Sequence, residues 1–452
     1  MFIDFLENIF LSNQSKEAIV WKEQPYTYAN LVEQLRLWQE KLNQHNVQPG
    51  TVVMVQADYS PASIALFLAL IEKQCIFVPI TSSVAAQKKE FIEVSQVELV
   101  ITIDESDNAR FENTEISSAH TFYETLREEA VPGLVLFSSG STGKSKAAVH
   151  DLAKLLDKFK VPRHAMRAIS FLLYDHIGGV NTLLYTLSNA GCLITLENRQ
   201  PDYVLRMVEK FAVELLPTSP SFINLMLISD AYKNYDISSL TTVTYGTEPM
   251  PESTLAQFHR LFPDIRLLQT YGLSELGIMR SKSKDSSSLW MKVGGEGFET
   301  RIVEGILHIK AYSAMLGYLN APSPFTADGW FNTGDMVEQD GEYIKILGRE
   351  SEIINVGGQK VFPAEVESVL QQLDEVAEAQ VFGQENAILG NVVSAKIRLS
   401  NSVNDWDKSQ AKKMLKKHCM GHLESFKIPA KFYFDDAEQF SARFKKQRTK
   451  VA

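Results

Sequence analysis

Apolar residues recur with two different spacings along the first part of the chain. Apolar positions three and four residues apart lie on one face of a helix, so the pattern predicts helices over residues 28–42 and 61–73. Short apolar runs at 51–56, 75–80 and 97–103 predict buried strands between and after these helices. Strands that alternate with helices favour βαβ units, so we expect an α/β fold with mostly parallel sheets.

The pattern changes near residue 290. Repeated Asp-Gly and Glu-Gly pairs predict tight turns between strands, so residues 290–348 are expected to form a β-rich subdomain. The remaining residues combine strand patterns with helical ones, including a helix that starts at Pro363, and are typical of a small α+β domain. We therefore predict a large N-terminal domain over residues 1–348 and a small C-terminal domain over residues 349–452.

The charge balance and the apolar runs exclude several functional classes. The 452 residues include 45 Lys plus Arg and 55 Asp plus Glu, and a net charge of −10 argues against a surface that binds nucleic acid. The longest apolar stretch, residues 64–71, is far shorter than the about 20 residues that a bilayer requires. The three cysteines lie far apart without metal-ligand spacing, which fits a reducing compartment. We expect a cytoplasmic protein with no membrane span and no nucleic-acid partner.

A loop rich in serine, glycine and threonine follows the predicted strand at 134–137. Small residues let the backbone approach an anion, and N–H groups, hydroxyls and a lysine would then bind it. The candidate phosphate-binding residues are Ser139, Gly140, Ser141, Thr142, Gly143 and Lys144. Two residues separate the glycines where a Walker A loop has four, and the spacing of a nucleophile elbow is also absent. By composition alone, a flexible surface loop is an equally good interpretation.

The loop resembles the phosphate loop of the AMP-forming acyl-CoA synthetases, a family that includes carrier-protein adenylation domains and luciferases. That loop reads Ser-Gly-Ser/Thr-Thr-Gly-x-Pro-Lys-Gly. Here Ser145 replaces the usual proline, Ala147 replaces the last glycine, and Lys146 matches the lysine. The resemblance implies a large N-terminal domain, a small mobile C-terminal domain and an enzyme that uses ATP and Mg²⁺.

A second segment, residues 269–275, resembles the Tyr-Gly-x-Thr-Glu motif of the same family. The resemblance implies that Tyr271 stacks on adenine beside Gly272 and that Ser274 contacts the α-phosphate. It also implies that Glu275 holds Mg²⁺, with Thr142 as a further metal-binding residue. A hard cation prefers oxygen ligands, which suits one carboxylate combined with phosphates.

Three further segments match family motifs around the nucleotide and the hinge. The candidate adenine- and ribose-binding residues are Gly246, Thr247, Glu248, Asp335 and Arg349, and a carboxylate such as that of Asp335 suits two ribose hydroxyl donors. Ser351 falls at the hinge into the C-terminal domain, where relatives more often carry Asp or Lys. Gly357 and Gly358 would border the channel for the pantetheine thiol.

The catalytic lysine of the family falls near the end of the chain. Residues 441–448 align with a Gly-Lys-x-x-Arg motif, in which Phe444 replaces glycine, Lys445 is the catalytic candidate and Arg448 keeps its place. Lys446 is a close rival. The alternative interpretation is a solvated basic tail.

The acid-binding side is marked by His176, within a segment that resembles the His-x-Gly-Gly motif of aryl- and acyl-CoA ligases. The resemblance places His176 near the carboxylate and AMP. Amino-acid-activating relatives use an Asp here, and Asp175 would imitate it under a one-residue shift, although we favour His176.

The motifs together predict a ligase that makes an acyl-adenylate and pyrophosphate and then passes the acyl group to a thiol. The cofactors would be ATP, Mg²⁺ and CoA, and the partners a small carboxylic acid and CoA. Two alternatives stay open. One is an adenylation enzyme that loads the phosphopantetheine of an acyl carrier protein. The other is a nucleotide-binding relative that has lost catalysis, which Phe444 and Ser351 would allow because both differ from the residues of the family motifs.

Overall fold

A computed structural model describes residues 2–139, 145–400 and 407–435 of the chain. Its α-helices are α1 (Asp4–Ser12), α2 (Tyr28–Gln44), α3 (Pro61–Glu72), α4 (Lys88–Val94), α5 (Thr121–Glu128), α6 (Leu152–Leu156), α7 (Ile177–Ser188), α8 (Pro201–Lys210), α9 (Pro220–Ile228), α10 (Glu252–Leu261), α11 (Pro363–Leu370) and α12 (Lys408–His422).

The strands of the first half are β1 (Glu17–Trp21), β2 (Gln24–Thr27), β3 (Val52–Gln56), β4 (Ile76–Ile80), β5 (Leu99–Ile103), β6 (Ala109–Asn113), β7 (Gly133–Ser139), β8 (Ser145–Asp151), β9 (Arg167–Ile169), β10 (Cys192–Ile194), β11 (Leu215–Thr218), β12 (Thr242–Tyr245) and β13 (Arg266–Gln269). Those of the second half are β14 (Gly272–Leu273), β15 (Gly277–Ile278), β16 (Arg280–Ser283), β17 (Met291–Gly294), β18 (Phe298–Val303), β19 (Ile306–Ala311), β20 (Gly317–Tyr318), β21 (Phe331–Asp340), β22 (Tyr343–Arg349), β23 (Ile354–Val356), β24 (Gln359–Val361), β25 (Val376–Asn386), β26 (Gly390–Leu399) and β27 (Lys431–Phe434).

Two seven-stranded sheets form the larger part of the fold. One has the order β13-β12-β11-β9-β10-β1-β2 and is parallel except at β2. The other has the order β20-β8-β7-β4-β3-β5-β6, with a parallel centre and antiparallel edges. These sheets confirm the predicted α/β fold with mostly parallel strands.

Helix α3 shows why the sheets and helices pack in layers. Ser60 accepts a hydrogen bond from Ser63 N, and Pro61 occupies the first turn, so the helix begins where a cap and a proline favour it. Apart from its last residue, every side chain of α3 is buried. One apolar cluster joins α3 and α7 to Val53 of one sheet and Leu193 of the other, so the helices lie between the two sheets.

The strands after β15 pair mostly in antiparallel fashion, and β27 on β26 is a parallel pair. A six-stranded sheet of order β16-β17-β22-β21-β19-β18 extends from Arg280 to Arg349. A five-stranded sheet follows, with the order β24-β23-β26-β25 and β27 beside β26, and α11 and α12 pack against it. The predicted boundary between residues 348 and 349 falls at the end of β22, and it stays a prediction.

Among the described residues, no helix is both long enough and apolar enough to cross a membrane.

Candidate active site

The candidate adenine-binding segments lie side by side where two parallel strands end. Residues after β12 and β13 meet through Thr270, whose backbone N–H donates to Tyr245 O at 2.7 Å. A Cβ at Gly246 would lie 2.7 Å from Thr270 Oγ1, so a glycine is required for this close approach. Thr247 has a φ of +75°, a strained conformation for a β-branched residue. Ligands of α/β sheets bind at such carboxyl ends.

Glu248, a further candidate for adenine contact, holds a neighbouring helix. Its Oε1 accepts a hydrogen bond from Ser221 N at 2.8 Å, in the first turn of α9. A carboxylate stabilises a helix N-terminus because it satisfies an orphan N–H and opposes the helix dipole. The contact fixes α9 beside the segment that carries Gly246 and Thr247.

The candidate ribose-binding carboxylate forms a buried network. Asp335 and Arg349 are directly opposite on β21 and β22, and Arg349 Nε lies 2.7 Å from Asp335 Oδ1. Tyr271 Oη donates to Asp335 Oδ2 at 2.5 Å. Burial raises the pKa of Asp335, and the Arg349 charge opposes that shift. Arg349 also donates to Thr333 O at 3.0 Å, which keeps the guanidinium in place.

Little of the Tyr271 and Asp335 side chains is exposed for contact with a nucleotide. The Tyr271 side chain is 5% exposed and packs in an apolar cluster, so its predicted stacking on adenine would use a ring edge or face that is largely covered. Each Asp335 oxygen already has one donor, but a carboxylate offers about four acceptor positions. The Asp335 side chain is only 8% exposed, so its binding of ribose hydroxyls stays a prediction.

Glu275 and the start of β8 meet at Tyr318. Tyr318 Oη donates to Glu275 Oε1 at 2.6 Å, and Lys146 Nζ lies 5.3 Å from the centre of the Tyr318 ring. Strand β20, which carries Tyr318, pairs with β8. Ser139, the last residue of β7, pairs with Ser145, the first of β8. Both ends of the predicted phosphate loop are thus on the same side of the molecule as Glu275.

Several predicted residues lie outside the described residues. Gly140, Ser141, Thr142, Gly143 and Lys144 belong to the part of the loop without a description, and Lys445 and Lys446 to the C-terminal segment without one. Their roles stay predictions.

Ser274 is held by a buried histidine. His150 is fully buried on β8, and its Nε2 lies 2.6 Å from Ser274 O, so the neutral Nε2–H form donates to that carbonyl. The contact ties the segment with Ser274 and Glu275 to the strand that leaves the phosphate loop. Burial lowers the pKa of His150 to about 4, because a charged imidazolium is disfavoured away from water.

The lowered pKa of His150 predicts acid sensitivity of the fold. Between pH 6.5 and 4 the unfolded chain binds a proton that the folded chain does not. The free energy of unfolding is therefore highest above pH 6.5 and decreases as the pH is lowered through this range. We expect the free energy of unfolding to fall by about 2 kcal/mol between pH 7 and pH 5 through this group. Urea unfolding of wild type and His150→Gln at both pH values measures the difference. The exposed His164→Gln serves as the control, and an equal pH dependence in His150→Gln and wild type would contradict the assignment.

His176 caps α7 rather than facing solvent freely. Its Nδ1 accepts from Gly178 N at 3.1 Å, which leaves the Nε2–H of the neutral tautomer as a donor. A Cβ at Gly179 would lie 1.9 Å from Leu173 O, so the second glycine of the motif is required sterically. Asp175, the alternative, is buried and accepts from Thr81 Oγ1 at 2.8 Å. His176 is thus half-buried and Asp175 buried, and the choice between them stays a prediction.

The candidate hinge and thiol-channel residues follow β22. Ser351 lies in a single 3₁₀ turn after Arg349. Gly357 and Gly358 connect β23 to β24 with φ values of +55° and +88°. Gly357 N donates to Leu389 O at 2.9 Å, which brings the tip of the β25–β26 hairpin beside these glycines. The turn needs both glycines because side chains rarely adopt this conformation.

A large cleft opens beside the candidate site. Its volume is about 1130 Å³, and its lining comes from α7, from a face of β11, β12 and β13, and from the six-stranded sheet. Thr270, the neighbour of Tyr271, lines the cleft. The site thus adjoins a space large enough for an organic acid.

Sequence reasoning missed His150, Tyr318 and Lys158 as parts of this region. Tyr318 is 43 residues from Glu275, and His150 is 124 residues from Ser274. Each belongs to a segment with an ordinary strand or turn pattern, and no local spacing marks contacts between segments so far apart.

Family models and related proteins of known name match most of the chain. Residues 10–319 match the family model described as AMP-binding enzyme, and residues 365–443 match the model of the AMP-binding enzyme C-terminal domain. The chain is 26% identical over 435 residues to an indoleacetate–CoA ligase of Aromatoleum aromaticum, covering 84% of this chain and 85% of that protein. It is 28% identical over 325 residues to acyl-CoA synthetase 7 of Caenorhabditis elegans, covering 64% of this chain and 59% of that protein.

A solved structure has the same fold. The anthranilate CoA ligase AuaEII in complex with anthranoyl-AMP superposes with a TM-score of 0.83 at 19% identity, covering 99% of this chain and 95% of that chain. At that identity the similarity shows the fold alone, with a large N-terminal α/β domain and a small C-terminal domain.

Proposed function

This chain belongs to the AMP-binding enzyme family, the AMP-forming ligases, and on that premise we propose that it activates a carboxylic acid with ATP and transfers the acyl group to CoA. The first product would be an acyl-adenylate and pyrophosphate, and the second an acyl thioester and AMP. The named relatives of this chain include CoA ligases, which supports the thiol as acceptor.

One observation carries the proposal: Glu275 and Lys146, beside the end of the phosphate loop, meet at the same tyrosine, Tyr318. A carboxylate that binds Mg²⁺ and a loop that binds phosphates can act on the same ATP molecule only if both lie beside its triphosphate. Had the two segments been on opposite sides of the molecule, the assignment would have failed.

The residues around Glu275 fit a magnesium ion that takes most of its ligands from the nucleotide. Among the described residues, no group of three His, Cys, Asp or Glu side chains forms a protein-only cage. Mg²⁺ is usually bound by one or two carboxylates with phosphates and water, and Glu275 suits that role. When bound, Mg²⁺ would neutralise charge on the phosphate oxygens.

The chemistry assigned to the chain's own residues is positioning and charge stabilisation. A carboxylate is a poor acyl donor, so its oxygen would attack the α-phosphorus while pyrophosphate leaves in line. Asp335 would orient the ribose, and the loop N–H groups and Lys445 would stabilise negative charge on the phosphates. His176, at the start of α7, would donate from Nε2 near the acid's carboxylate.

Acid-dependent exchange of pyrophosphate into ATP tests the first step. Exchange should require ATP, Mg²⁺ and a suitable acid, and should be screened with aryl, fatty, short-chain and amino acids. No exchange with any acid would support the alternative of a relative that has lost catalysis. Thioester formation with CoA, compared with a phosphopantetheinylated carrier protein, then tests the acceptor.

Removing the charge of Asp335 should weaken ATP binding. Asp335→Asn can still accept from Tyr271, but it weakens the acceptor for ribose hydroxyls, and hydrogen bonds to charged groups are worth about 1.5–3 kcal/mol. We expect KM for ATP to rise about tenfold, and to rise less for 2′,3′-dideoxy-ATP, which lacks both hydroxyls. Asp340→Asn, exposed on the same strand, is the control. An equal rise for both nucleotides would mean that Asp335 acts only on the fold.

A further inference from the structure

The cleft beside the candidate site, called the slot below, runs along one face of β11, β12 and β13 and is lined on another side by the six-stranded sheet. Arg266, Leu268 and Thr270 alternate along β13, so they lie on one face of the sheet and line the cleft together. Thr270 is at the end next to Tyr271, and Arg266 is at the other end. At about 3.3 Å per residue, these four steps span about 13 Å. An acid held with its carboxylate near Tyr271 would meet Lys158 before it reaches Arg266, because Lys158 Nζ donates to Ile278 O and Ile278 pairs with the neighbour of Tyr271.

The walls of the slot carry a marked excess of positive charge. Among the described residues that line it, the lysines and arginines are Lys158, Arg163, Arg266, Arg280, Lys282, Lys292 and Arg301, and the acidic side chain is Glu342. Glu342 is paired with Lys292, and Arg301 with Asp328 outside the slot. The other five cations form no ion pair with an acidic side chain of the described residues. The protein as a whole is acidic, at −10, so this clustering is local.

Lys158 is a half-buried cation of the slot with two hydrogen bonds to neutral acceptors. Its Nζ donates to Asn181 Oδ1 at 2.5 Å and to Ile278 O at 2.8 Å. Both acceptors are neutral and both residues line the slot, and an ammonium has three donors. One N–H is thus left for a further acceptor. Burial, with a smaller contribution from the Arg280 charge, lowers the pKa of Lys158 to about 7.

An ammonium that is partly withdrawn from water and has no carboxylate partner among the described residues is costly, and a bound anion lowers that cost. An apolar side chain would fill the same space at less cost if the slot received only apolar acids. The geometry points to an acid with a second anionic group, a carboxylate in the simplest case, that binds Lys158 while the first carboxylate is activated near Glu275. This inference rests on the proposed function and names the class of acid.

Pyrophosphate exchange with matched acids tests the inference directly. Straight-chain α,ω-dicarboxylic acids of increasing length are compared with monocarboxylic acids of the same carbon number. Wild type is expected to prefer the diacids at a length compatible with the slot. Equal or better exchange with the monocarboxylic acids overturns the second anionic group while the proposed function stands. No exchange with any acid overturns the proposed function, and this inference with it.

A substitution at Lys158 tests whether this residue binds the second anionic group of the acid. Lys158→Met keeps the length of the side chain without its charge, and kcat/KM for the diacid should fall about 10²-fold, as expected when one partner of a buried charge pair is truncated. The monocarboxylic acid should lose little, and Lys158→Arg should restore part of the preference. Lys160→Met, exposed two residues away, is the control. An unchanged ratio of diacid to monoacid in Lys158→Met overturns the assignment, and if that variant does not fold, the ratio in Lys158→Arg decides.

Discussion

Glu275→Gln is expected to slow acid-dependent pyrophosphate exchange by about 10²–10³, the usual cost of removing one group that stabilises transition-state charge. The amide keeps an oxygen that can accept from Tyr318 Oη, so the local structure is retained. The charge that would hold Mg²⁺ is lost, and the Mg²⁺ concentration needed for half-maximal rate should rise as well. Exchange measured over a range of Mg²⁺ concentrations separates these two effects.

Two control variants make the Glu275 result specific. Glu299→Gln removes an exposed carboxylate from β18 and should change neither rate nor Mg²⁺ dependence. Tyr318→Phe removes the hydrogen bond to Glu275 but keeps its charge, so it should cost much less than Glu275→Gln. If Glu275→Gln lowers thermal stability and leaves the Mg²⁺ dependence as in wild type, Glu275 is a structural residue and the metal assignment is wrong.

Local patterns predicted much of the fold because they record which faces are buried. The predicted helix at 61–73 is observed as α3, and the predicted strand at 51–56 as β3. The helix also begins at residues whose backbone preferences are strong, Pro61 with the Ser60 cap. The antiparallel sheet starts at Arg280, earlier than the change of pattern near residue 290, because Arg280–Ser283 is too short and too polar to be recognised as a strand.

The network around Asp335 shows where sequence patterns stop being informative. The turn at Asp340-Gly341 sets the register of β21 on β22 only as far as Val337, because an irregularity between Met336 and Val337 then shifts the pairing by one residue and brings Asp335 opposite Arg349. The contact from Tyr271 to Asp335 is also beyond local sequence, because 64 residues separate them and several sheets must be assembled first. The same holds for the slot cations, which come from five separate segments and become a cluster only in the fold.

The contacts of the C-terminal part suit a change of orientation between two steps. Asn224 Nδ2 donates to Ala377 O at 3.0 Å, and Glu252 N donates to Ser368 Oγ at 3.1 Å. Hydrogen bonds at a partly exposed surface exchange with water at a net cost of about 1 kcal/mol each. A rotation after Ser351 would therefore lose these two hydrogen bonds at a small net cost. Such a rotation would let different C-terminal residues serve the two half-reactions.

Lys445→Ala should therefore affect the two half-reactions unequally. If Lys445 stabilises charge during adenylation and is withdrawn before thiolysis, pyrophosphate exchange should fall about 10²–10³-fold. Release of CoA thioester from supplied acyl-adenylate should change only a few-fold. The two rates are measured separately, the first with ATP and acid, the second with synthetic adenylate and CoA.

Lys446→Ala is the matched control for Lys445→Ala, because it removes the same charge one position further along the chain. A loss confined to the Lys446 variant would assign the catalytic role to Lys446. Small and equal losses in both variants would indicate a solvated basic tail, and equal slowing of both half-reactions in Lys445→Ala would exclude a role limited to adenylation. A step-specific loss in Lys445→Ala alone requires a lysine that reaches the nucleotide in one orientation of the C-terminal domain and leaves it in the other.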